Sequence, residues 1–134
     1  MNHNESSYEE TVRTMINREN DLIHYRVTWL MTVQGLFFAA LGLAWNKPDI
    51  SSFIALLCFL GILMSVVVLI ALAGASRAIR RLIGWWDTNK PSHYQGPDVV
   101  GIRPMRTKYF GWIGPWGIIP FLFIIAWTVV FLAY

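Results

Sequence analysis

Charge is what this sequence has least of. Aspartate, glutamate, lysine and arginine make up 14% of its 134 residues, against about 25% in ordinary soluble domains. The shortage is concentrated: residues 27–45, 52–75 and 113–134 contain no charged side chain and no histidine. Proton relays and ion-coupled carriers rely on ionisable groups inside the bilayer, so their absence argues against both. Cysteine is almost missing as well. Cys58 stands alone, which excludes an intrachain disulfide.

Metal and catalytic groupings are also lacking. His3, His24 and His93 share no ligand spacing, and Cys58 lies inside an apolar run. Ser92-His93-Tyr94 has Asp87 and Asp98 on either side, but no motif fixes an acid where it would orient the histidine. No catalytic residue, cofactor, metal or nucleic-acid partner is therefore expected. A hydrophobic export signal is excluded by Glu5, Glu9, Glu10, Glu19 and Asp21 near the start. Insertion is then expected to be directed by the first apolar segment.

The chain does have apolar length. The three charge-free runs hold 19, 24 and 22 residues, and about 20 helical residues cross a hydrocarbon core of roughly 30 Å. Buried helices of a soluble protein need a polar face, which these runs do not offer. The expected fold class is an all-α membrane protein with three transmembrane helices. The expected divisions are a cytoplasmic amphipathic helix at 1–26, TM helix 1 at 27–45, a short external loop at 46–51 and TM helix 2 at 52–75. A basic juxtamembrane helix and Pro/Gly loop come next at 76–112, then TM helix 3 at 113–134.

Orientation is read from the basic residues. Arg13, Arg18, Arg26, Arg77, Arg80, Arg81, Lys90, Arg103, Arg106 and Lys108 fall on one side of the spans, and Lys47 alone on the other. Lysine and arginine mark the cytoplasmic face. The N-terminus is thus expected inside and Tyr134 outside. Trp29, Trp85, Trp86 and Trp112 are placed at the inner boundary, Trp45 and Tyr134 at the outer one, as aromatic belts require.

Local signals refine this map. Ser7-Tyr8-Glu9-Glu10 has capping-box form, and Glu9 precedes Arg13 by four residues, the favoured order for an ion pair. Tyr8, Val12, Met15 and Leu22 share a face fit for a membrane surface or a second copy. No Gly or Pro interrupts residues 9–34, so this helix is expected to run on into the first span. Pro115 suits the first turn of the third helix, and Pro120 is expected to kink it or to leave a carbonyl free. Arg77, Arg80, Arg81, Arg103, Arg106 and Lys108 are expected to meet anionic lipid head groups, and Glu19, Arg26 and Trp29 to lie at the same interface.

Within the spans Gln34 is the most polar group, and its amide must find a partner. A helix-to-helix bond within one subunit and a pore-lining or oligomer-locking role both answer that need. Gly35, Cys58, Gly61 and Ser65 supply small residues for close helix approach, and with Gln34 form the candidate oligomer or polar interface.

The run from Glu19 through Arg26, Thr28, Trp29 and Leu30 to Gln34-Gly35-Leu36-Phe37-Phe38-Ala39-Ala40 has a recognisable form. It resembles a set of small uncharacterised bacterial inner-membrane proteins with an E-N-x-L-I-x-x-R-x-T-W-L segment ahead of Q-G-L-F-x-A. The resemblance implies a bacterial plasma membrane, brings no activity with it, and singles out Glu19, Asn20, Arg26, Trp29 and Gln34. Three helices enclose little interior, so the leading functional expectation is a non-enzymatic homo-oligomer, sharpened to a pore-forming or membrane-perturbing effector. An accessory or scaffold subunit of a larger membrane complex is the alternative.

Overall fold

A computed structural model describes residues 3–45, 47, 50–90, 98–99 and 115–134. The described chain is all helix and connection. Helix α1 runs His3–Ala44, α2 Ser51–Asn89 and α3 Ile118–Ala133, with a 3-10 turn at Pro115–Gly117 leading into α3. At 1.5 Å per residue, α1 is about 63 Å long, α2 about 58 Å and α3 about 24 Å. Both α1 and α2 are long and apolar enough to cross a membrane, and α3 is a shorter apolar helix.

Helices α1 and α2 form a long hairpin. Buried positions on α1 recur as Val12, Ile16, Ile23, Val27, Leu30, Gln34 and Leu41, the three-and-four spacing of one helix face. On α2 the matching stripe is Ile54, Leu57, Cys58, Gly61, Ser65, Val68, Leu72 and Ala75. The core falls into three clusters along this seam. Near the turn, Leu41, Ile54, Leu57 and Cys58 close around Trp127 of α3. In the middle, Val27, Leu30, Val68 and Leu72 meet Ile119 and Phe123 of α3. At the open end of the hairpin, Val12 and Ile16 pack against Trp86 and Val99. Helix α3 lies against the turn half only, parallel to α1, with the Trp45 and Tyr134 rings in edge contact 5.7 Å apart. Among the described residues, the open half of the hairpin is a two-helix extension joined by Val99.

Three local expectations change. Helix α1 is already formed at His3, so Ser7 lies within it rather than at a cap. The apolar run at 113–134 yields an α-helix that begins only at Ile118, because Pro115 opens a 3-10 turn instead. Pro120 consequently sits in the first turn of α3, where backbone N–H groups have no helical acceptor and a missing one costs nothing. That position removes the cause of a kink, one of the two outcomes expected for Pro120. The expected Glu9–Arg13 pair forms, at 2.6 Å.

Candidate functional site

The centre of the three-helix part holds one polar cluster in apolar surroundings. Gln34 of α1 and Ser65 of α2 are both fully buried. Gln34 Nε2 donates to the Gly61 carbonyl at 2.9 Å and to Ser65 Oγ at 2.9 Å. Ser65 Oγ donates in turn to the Gly61 carbonyl at 2.8 Å. From α3, Trp127 Nε1 donates to Gln34 Oε1 at 2.6 Å. An indole can only donate, so the Gln34 oxygen must face Trp127 and its NH₂ must face α2. One amide thus ties three helices together. No buried side-chain nitrogen or oxygen among the described residues lacks a partner.

Shape enforces the same arrangement. The Trp127 indole stacks on Phe38 with centroids 4.6 Å apart and 12° between planes, while Phe37 meets it edge-on at 6.4 Å. On its other side the ring lies directly over Gly61. A Cβ at position 61 would overlap indole Nε1, Cε2 and Cδ1. Glycine is required here for close approach, not for backbone freedom.

Four of the five interface candidates, Gln34, Cys58, Gly61 and Ser65, are thereby buried inside a single chain. The need of Gln34 for a partner is met within the subunit, without a second copy. Gly35 stands apart: it is exposed, and a Cβ there would meet nothing within 4 Å. Sequence reasoning misses Trp127. A signal exists, since an indole N–H in the middle of an apolar helix needs an acceptor and Gln34 offers one at comparable depth. The hydroxyls give no such information, because Thr32 and Thr128 bond back to carbonyls four residues earlier.

A second cross-helix contact lies toward the open end. Arg26 Nη1 donates to the Ala71 carbonyl of α2 at 3.3 Å. Trp29 is exposed one turn further on, and Glu19 is half-buried two turns earlier on the same face. On α2, Arg77 and Arg81 are exposed and Arg80 is half-buried. Arg103, Arg106 and Lys108, with Ser92, His93 and Trp112, lie outside the described residues. A shallow groove of about 430 Å³ runs along the extension, lined by Glu10, Thr11, Thr14, Met15 and Arg18. Among the described residues no group of three or more histidine, cysteine, aspartate or glutamate side chains is placed to hold a metal. Comparison with protein-family models, curated proteins and solved structures gives no match.

Proposed function

We propose that this chain is a multi-pass protein of a bacterial inner membrane that acts without catalysis, as a homo-oligomer. In this reading the N-terminus, the two-helix extension and the basic loop face the cytoplasm, and Tyr134 faces outside. The carrying observation is an inverted polarity. Leu36, Leu43, Phe59, Ile70, Phe131 and Leu132 point outward, each more than half exposed, while Gln34 and Ser65 are sealed inside. Such a surface suits lipid, where apolar groups face the solvent and polar groups must pair internally. The third crossing fits by length: the 3-10 turn adds about 6 Å to α3 at about 2 Å per residue, giving the roughly 30 Å of a hydrocarbon core.

The sharper form of the proposal is a pore-forming or membrane-perturbing effector. The hub satisfies its polar groups within one chain, so a conducting path here runs between copies rather than through one three-helix unit. Purified protein in planar bilayers is expected to show discrete conductance steps. Silence across lipid compositions and voltages removes the pore and leaves the non-conducting oligomer. The second reading, an accessory or scaffold subunit, draws on exposed apolar side chains of the extension such as Tyr8 and Met15. It predicts one dominant hetero-partner on gentle detergent extraction, and self-association alone counts against it.

A further inference from the structure

The outer face of α1 carries a repeat that neither the hairpin nor α3 uses. Tyr8, Met15, Leu22, Trp29, Leu36 and Leu43 succeed one another at intervals of seven, and all six are exposed. The buried seam of α1 is a different stripe, through Val12, Ile16, Ile23 and Leu30. A pairing seam takes two positions of each heptad; the repeat fills one with apolar residues, and Thr11, Arg18, Tyr25 and Thr32 fill the other. Over residues 27–45 lipid satisfies it without a partner, since apolar side chains gain little by leaving hydrocarbon. In the extension, which the membrane reading places in water, Tyr8, Met15 and Leu22 form an exposed apolar row with Thr11, Arg18 and Glu19 between its members.

We propose that this stripe pairs the extensions of two copies of the chain, side by side and parallel, about a twofold axis along the membrane normal. The inference rests on the membrane reading above, which inserts every copy with the same orientation and so fixes the pairing as parallel. In that arrangement each stripe residue meets its own counterpart, as a self-complementary twofold contact demands. The charges beside the stripe then match. Knobs-into-holes packing puts Arg18 next to Glu19 of the second copy, and the flanking positions put Asp21 opposite Arg26 of the second copy. Both pairings join opposite signs, and Glu19 of the second copy offsets the contact of Arg18 with its own counterpart, which the same register brings into the seam. Arg18 and Asp21 are exposed and Glu19 half-buried, and the Glu9–Arg13 ion pair, on another face of α1, uses none of them. Arg26 commits a single bond to Ala71 and keeps its other N–H groups for a partner. A membrane surface does not fit as occupant: α1 is unbroken from His3 to Ala44 and is packed along α2 by Val12 and Ile16, so its first half cannot lie flat on the bilayer that its second half crosses.

Cross-linking in native vesicles tests the face. In full-length protein carrying Cys58→Ser, single cysteines replace Met15 or Leu22 on the stripe, and Asn17 or His24 on exposed positions away from it. Mild oxidation is expected to give disulfide dimers at positions 15 and 22, at least five-fold above those at 17 and 24. Native mass in detergent is expected to show an even number of copies, and Leu22→Glu to shift it to half with helicity unchanged. Dimers equally at all four positions, or only at 17 and 24, overturn this face while self-assembly stands. A monomer by mass, with no cross-link anywhere, overturns both the face and the homo-oligomer.

Discussion

At the scale of single residues, the Gln34 amide ties the register of three helices, because it bonds Gly61 and Ser65 of α2 and Trp127 of α3 at once. Removing it leaves the Trp127 N–H and one lobe of the Ser65 hydroxyl without partners in a dry environment. An orphaned buried donor costs about 1–3 kcal/mol, although interhelical bonds in membranes average nearer 0.6 kcal/mol. The bonds at Gln34 converge from two helices, so the upper range applies. Gln34→Leu is expected to destabilise by about 1–2 kcal/mol, and Trp127→Phe in addition removes the donor without a replacement. The double variant is expected to lose clearly less than the sum, because each change orphans a group the other removes. Denaturant titration in mixed micelles measures all three, and strict additivity would mean the bond carries no coupling. Gly61→Ala acts through shape at the same place. Its methyl meets an indole held by Phe38 and Phe37, which has no free direction to move. Overpacking of that kind costs about 1–3 kcal/mol, and near-ultraviolet circular dichroism reports whether the ring shifts.

Element by element, proline position decides more than proline count. Because α3 starts at Ile118, Pro120 occupies the third residue of the helix, where its lack of an N–H costs no hydrogen bond. Pro120→Ala is expected to leave helicity unchanged and to cost no more than about 1 kcal/mol, mostly from the small space vacated by a buried ring. Val129→Pro, an exposed site of similar size well inside α3, is expected to cost about 3 kcal/mol or more. Equal losses from both would place the helix start earlier than Ile118. The same element shows why the sequence is only partly legible. Apolar length and missing charge mark the three helical segments correctly. The start of α3 is hidden, because Gly114-Pro115-Trp116-Gly117 carries no charge to set it apart from the helix after it, and hydropathy is blind to the difference between a 3-10 turn and an α-helix. Ser7 misleads for the opposite reason. A capping-box string is a local preference, and α1 extends past it to His3.

Over the whole molecule, the legible part is which segments are apolar helices, and the illegible part is how helices pair. Gln34 can be singled out as needing a partner, but one sequence does not say whether that partner lies in the same chain. The answer comes from Trp127 arriving from α3, 93 positions away in sequence. In the proposed membrane reading, the path of the hairpin across the bilayer is set by where its ends fall. The turn carries Lys47, and the extension ends at Asn89 and Lys90, about 58 Å away along α2. The basic residues crowd the extension, so in the proposed orientation the turn is outside and Asn89 is inside. In whole cells producing the Cys58→Ser protein, Lys47→Cys is expected to react with a membrane-impermeant maleimide. Asn89→Cys, equally exposed, is expected to react only after the membrane is opened. Removing the lysine works with the positive-inside bias, so the substitution itself does not disturb the orientation. The reverse labelling pattern would invert the protein, and labelling of both sites in sealed cells would remove α2 from the bilayer altogether.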